Sequence, residues 1–159
     1  MKKITVLNPY NNEHVKLLTN YEQENLVDTK AIELINTCRE QMTEEEYEKA
    51  QYINNDFQYI LMIEEDNQIK DYCHISGEKD RKTCYLLLGA KQKQTKKRDI
   101  IEYASNYAFD ILGMNDIFLT ENNENNHLIT SGFYCLGETN GNIIYLKQRE
   151  DIEENKKVI

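Results

Sequence analysis

The sequence has no tryptophan, a single proline, Pro9, and only six glycines among 159 residues. With so little proline and glycine, a collagen-like or low-complexity chain is excluded. No apolar run approaches the roughly 20 residues of a membrane-spanning helix. The opening residues, MKKITVLNPY, lack the apolar segment of a signal peptide, so a cytoplasmic location is expected. Four cysteines, Cys38, Cys73, Cys84 and Cys135, form no CxxC pair. Neither a zinc knuckle nor a redox motif is indicated, and no metal is expected. Positive charge is also scarce: 19 Lys and Arg stand against 28 Asp and Glu, a net charge of −9. A general nucleic-acid binder needs a broad basic surface, so that class is set aside.

What is present is a hydrophobic fraction of 40% with eleven tyrosines and four phenylalanines, enough for a core in one domain. A single domain is expected over residues 1–148, followed by a charged tail, 149–159. A first strand is read at Lys3–Leu7, then helices at Asn11–Tyr21 and Thr29–Met42. Thr43-Glu44-Glu45-Glu46 has the form of a capping box and starts a third helix, to about Ile53. Phe57–Glu64, Ile69–Ser76 and Thr83–Leu88 read as an antiparallel meander. A helix at about Arg98–Leu112 follows, with Gly113 at its C-terminal cap, then a strand at Ile117–Thr120 whose Ile117–Leu119 are wholly apolar, as in a buried strand. A short polar helix leads to Gly132-Phe133. Phe133–Leu136 and Asn142–Lys147 form a closing hairpin about Asn140-Gly141. The fold class is α+β: a mixed, mostly antiparallel sheet of six to seven strands, one β-α-β crossover and flanking helices.

Against the acidic background, Lys91–Arg98 places five cations in eight residues where a strand hands over to a helix. With Thr95 as N-cap, Lys96, Lys97 and Arg98 fill the first turn. Cations there oppose the helix dipole at about 0.3–1 kcal/mol each. An anion bound on the free N–H groups of that turn offsets the cost, and phosphate is the usual one. The alternative is a solvated basic loop. His74, with Cys73 and Ile75 facing the opposite way, is a candidate general base, or an ordinary hydrogen-bonded strand histidine. Glu64, Glu65 and Glu78 read as strand-end carboxylates.

The element order and these residues resemble the GNAT superfamily of N-acetyltransferases. The family's Q/R-x-x-G-x-G/A loop aligns with Gln92, Lys93, Gln94, Thr95, Lys96 and Lys97. Gln92 matches, whereas Thr95 and Lys97 stand where the family has glycine. Leu112-Gly113, Asn122 or Asn123, Gly132-Phe133 and the final hairpin also follow the family order. The resemblance implies acetyl-CoA as cosubstrate, its pyrophosphate on Gln92–Lys97 with Asn123 nearby. Its pantetheine would lie between Tyr85–Leu88 and Phe118–Thr120, against the backbone of Leu87 and Leu88. It further implies a small-molecule or protein amine as acceptor, and admits a homodimer. The family's proton-donating tyrosine falls on Leu128, which has no proton to give; Tyr134 and His127 are near in sequence, and Tyr134 is taken as the candidate. The runner-up reading is a catalytically inactive binding or regulatory module of the same fold.

Overall fold

The computed structural model describes residues 2–24, 31–89, 99–121 and 126–150. Seven strands form one sheet: β1 (Lys3–Val6), β2 (Asp56–Glu65), β3 (Gln68–Glu78), β4 (Thr83–Leu88), β5 (Asp116–Glu121), β6 (Tyr134–Thr139) and β7 (Asn142–Gln148). Their spatial order is β1-β2-β3-β4-β5-β7-β6. Neighbours run antiparallel except β4 and β5, which are parallel. A parallel pair needs a crossover, and α4 (Asp99–Asn106) supplies it. The three earlier helices are α1 (Asn12–Glu24), α2 (Ala31–Gln41) and α3 (Glu44–Ile53), and α5 (Asn126–Thr130) follows β5.

Local chemistry accounts for most of the boundaries. Thr43 Oγ1 accepts from Glu46 N at 3.2 Å, and Glu46 Oε1 accepts from Thr43 N at 3.0 Å, which completes the expected capping box of α3. The β2–β3 turn places Asp66 and Asn67 at φ 55° and 60°. The last hairpin turns on Asn140 and Gly141 at φ 50° and 81°. Both are left-handed pairs that match the twist of the strands they join. One expectation needs amendment: α4 does not run regularly to Leu112. From Tyr107 to Ile111 the chain widens into a π-helical turn, and Leu112 N donates to Tyr107 O. Gly113 then ends it at φ 72°.

The two faces of the sheet are covered unequally. On one, Ile100, Ile101, Ala104 and Ala108 of α4 pack with Cys73, Ile75, Cys84, Leu86, Leu88, Ile117 and Leu119. Leu128 and Phe133 close the same core, and Phe133 N donates to Leu128 O across Gly132. On the other face Leu18, Tyr21 and Ile35 of α1 and α2 meet Ile60, Met62 and Tyr72 of β2 and β3. Beyond β3 no such layer covers that face among the described residues. Tyr85 and Leu87 are exposed there and Phe118 is only half-buried. The β5 strand was expected to be buried throughout. It is buried at Ile117 and Leu119 alone, because the first two helices reach only as far as β3. Arg149, assigned to the tail, belongs to the fold: its guanidinium donates to Phe109 O and Met114 O, and its N donates to Asn115 O. Among the described residues no helix is long and apolar enough to cross a membrane.

Candidate active site

The site begins with a ladder that stops short. β4 and β5 pair from Thr83↔Asp116 to Leu86↔Leu119 and no further. Both strands continue on their outer sides. β4 stays paired to β3 through Leu88↔Cys73, and β5 stays paired to β7 through Glu121↔Ile143. Two parallel neighbours in the middle of a sheet therefore part at their C-terminal ends while each remains anchored. The result is a gap bounded by Leu87–Leu88 on one side and Thr120–Glu121 on the other.

Ladder parity decides which backbone groups enter that gap. Gly89 N donates to Tyr72 O at 3.0 Å, and Gly89 stands opposite Tyr72, so this is a hydrogen-bonded pair. Bonded and non-bonded pairs alternate along an antiparallel ladder. Leu88, opposite Cys73, is then non-bonded toward β3, and its N–H and C=O turn toward β5. Among the described residues no β5 residue stands opposite it. Leu87, opposite His74, is a bonded pair and uses its peptide groups on β3. Of the two backbones expected at the site, Leu88 directs its peptide groups to the gap and Leu87 directs its own to β3.

The end of β4 is held by close contact. A Cβ on Gly89 would lie 2.5 Å from Tyr72 Cε1 and 2.7 Å from Cδ1 and Cζ, so the fully buried Tyr72 ring requires glycine there. Tyr72 OH donates to Glu22 Oε1 at 3.0 Å, and the ring meets Tyr21 edge-on at 5.3 Å between centroids. Burial raises the Glu22 carboxyl above its ordinary range, and the Tyr72 hydrogen bond partly opposes that rise. The chain of contacts from α1 thus fixes where the gap starts.

His74 faces away from Cys73 and Ile75, as expected, on the side where α1 and α2 pack. Its Nε2 meets Gln58 Oε1 at 3.1 Å. With that oxygen accepting, the proton sits on Nε2 and Nδ1 keeps its lone pair. Burial lowers the imidazole pKa below 6.5, so the ring is neutral at pH 7. His74 is opposite Leu87 in the ladder, one strand from the gap.

Tyr134 is not brought to the gap. Its hydroxyl donates to Gln148 Oε1 at 3.1 Å, and Gln148 Nε2 donates to Asp116 Oδ1 at 3.1 Å. Asp116 pairs with Thr83, at the opposite end of β4 from Leu88 and about 17 Å away at the usual rise per residue. The register irregularity between Cys135 and Gly137 could not be read from the sequence. Leu128 is fully buried in the core. His127 is occupied locally, its Nε2 3.4 Å from Ser131 Oγ.

Gln92, Lys93, Gln94, Thr95, Lys96, Lys97 and Asn123 lie outside the described residues. The position of the helix they lead into is nonetheless fixed. Lys2 Nζ bonds Asp99 Oδ2 at 2.7 Å. Lys2 precedes β1, whose Lys3 pairs with Glu64 near the end of β2. β2 runs parallel to β4, so the start of α4 lies at the edge of the sheet where the gap opens. Among the described residues no group of His, Cys, Asp and Glu is arranged to hold a metal. Cys73 and Cys84 are buried, and burial pushes the Cys84 thiol up to about 12, out of reach of thiolate chemistry at neutral pH.

No family model and no curated protein matches the sequence. Solved structures do match its fold. A dodecameric spermidine N-acetyltransferase from Vibrio cholerae superposes at a TM-score of 0.64, with 16% identity over 97% of each chain. The Campylobacter jejuni N-acetyltransferase PseH, in complex with acetyl coenzyme A, superposes at 0.59, with 14% identity over 94% of this chain and 99% of that one. An E33Q and E41Q mutant form of the Vibrio enzyme gives 0.63 at 15% identity, over 98% of both chains.

Proposed function

We propose that this chain, which has the fold of the GNAT N-acetyltransferases, transfers an acetyl group from acetyl-CoA to an amine. The observation that carries the reading is the β4–β5 ladder ending at Leu86↔Leu119 while both strands remain paired outward. A slot of that kind admits an extended chain that pairs with the edge of β4, and pantetheine carries the amide groups to do so. The PseH structure, of the same fold, holds acetyl coenzyme A.

In the reaction the amine nitrogen attacks the thioester carbonyl carbon, and a C–N bond forms. The carbonyl oxygen gains negative charge, and the Leu88 N–H facing the gap is the donor for it. A preorganised donor at an oxyanion is worth on the order of 3 kcal/mol. The C–S bond then breaks and the thiolate leaves. With Leu128 buried in the core, the thiolate departs as the anion and takes its proton from solvent. The amine proton passes to His74 Nδ1, through a water where the acceptor does not touch the ring. Positioning carries most of the remaining rate. The diphosphate is held by the Lys91–Lys97 segment, where lysine charge replaces the close backbone approach that Thr95 and Lys97 restrict. Asn123 is proposed as a further contact for the cosubstrate.

The test is release of free thiol from acetyl-CoA over a panel of primary amines that includes polyamines and amino sugars. Amine-dependent release is expected. Tight acetyl-CoA binding with no release for any amine would favour the inactive binding module. Absence of binding would remove both.

A further inference from the structure

The apolar side chains on the open side of the sheet are aligned rather than scattered. One ladder row runs Ser76↔Tyr85↔Phe118↔Leu146 across β3, β4, β5 and β7. Opposed residues of a ladder share a face, so these side chains stand in one line. The Tyr85 and Phe118 rings stack at 5.3 Å between centroids, with their planes 24° apart. Tyr85 is still 56% exposed, and Leu87, next along β4 on the same face, is 40% exposed. Rings that stack on each other and still meet solvent offer a platform to a further flat group.

The platform adjoins the gap. Tyr85↔Phe118 is the last ladder pair but one of β4 and β5, and Leu87 lies just past the last. His74 stands opposite Leu87 on the same face. From Tyr85 to Leu88, the proposed oxyanion donor, is about 10 Å at the usual rise per residue. The neighbouring carboxylates on this side are engaged. Glu78 and Asp116 lie beyond the platform, away from the gap, and meet Arg81 Nε at 3.3 Å and Gln148 Nε2 at 3.1 Å. Glu22, at the gap end, accepts from Tyr72 OH.

We infer that this face selects the amine: it takes a primary amine carrying a flat apolar group on a short alkyl linker, with that group on Tyr85, Phe118 and Leu87. The nitrogen then reaches along β4 toward Leu88 and His74. The amine's role as acetyl acceptor rests on the acetyltransferase reading; its binding does not. Covering the exposed Leu87 is favourable only for a hydrocarbon surface. An ammonium group on the rings gains a cation–π contact but loses hydration against the leucine. A polyamine is therefore the poorer fit.

The test titrates phenylbutylamine, butylamine and spermidine into the full chain, with and without coenzyme A. Binding is followed by calorimetry and by the ring signals of Tyr85 and Phe118, and thiol release from acetyl-CoA is measured for the same amines. Phenylbutylamine is expected to bind about tenfold more tightly than either of the others and to move both ring signals. Tyr85→Ala, at an exposed position, is expected to reduce that preference to about twofold, and Tyr85→Phe to keep it. Equal affinity for phenylbutylamine and butylamine overturns the inference, as does a preference for spermidine or binding that leaves both rings unmoved. Ring signals that move with protein concentration alone also overturn it, since the face is then an interface between copies of the chain. Selective binding without thiol release supports the selectivity and counts against acetyl transfer. Release from all three amines alike keeps the transfer and overturns the selectivity.

Discussion

Single atoms decide two questions that composition leaves open. Leu87 and Leu88 are alike in sequence, yet the hydrogen bond from Gly89 to Tyr72 O turns only the Leu88 peptide toward the gap. The parity of a strand cannot be read from its residues, because it depends on a partner found elsewhere in the chain. Tyr134 shows the same limit in reverse: a hydroxyl near in sequence is held by Gln148 at the far end of β5. Gly89 gives a direct test. Gly89→Ala forces a methyl group into the Tyr72 ring, and overpacking of that kind costs about 1–3 kcal/mol. A fall in denaturation midpoint and weaker acetyl-CoA binding are expected together; a neutral result on both would mean that Tyr72 does not fix the end of β4. His74 gives another. Its folded pKa is lowered by burial, so the stability tied to its neutral ring is complete above the unfolded value near 6.5. That contribution is lost as the pH falls through the lowered folded value. Melting temperature recorded from pH 8 to pH 5 should drop on the acid side, and less steeply for His74→Gln. The acid limb of kcat/KM should shift in the same variant if the imidazole takes the amine proton.

Elements were the most legible level. The capping box of α3, the hairpin turn at Asn140-Gly141 and the bounds of β4 follow from local chemistry and match the structure. These signals lie within a few residues of one another, so sequence carries them intact. The π-helical turn at Tyr107–Ile111 has no such local signature. Thr43→Ala removes one half of the capping box, and loss of an N-cap costs about 1 kcal/mol. Since α3 has no fully buried side chain to hold it, hydrogen exchange in α3 should rise about fivefold while exchange in β2 and β3 stays unchanged. Equal loss of protection throughout would mean that α3 unfolds only with the whole domain.

At the scale of the molecule, one parallel pair in an otherwise antiparallel sheet is what creates the site. The β-α-β order and the resemblance to N-acetyltransferases were visible in the sequence, and the fold of the matched structures agrees with both. The divergence of β4 from β5 was expected only through that resemblance, since no residue pattern announces where a ladder stops. The loop Lys91–Arg98 belongs to this scale too, because its charge stands against a net charge of −9. Lys96→Ala with Lys97→Ala should weaken acetyl-CoA binding and flatten its dependence on salt concentration. Unchanged affinity would remove these lysines from the site. The gap itself is tested most directly by following backbone amide resonances as acetyl-CoA is added. The Leu88 amide, with Leu86 and Thr120 beside it, is expected to show the largest shifts. Saturable binding that leaves Leu88 unmoved, or no binding at all, would contradict the account.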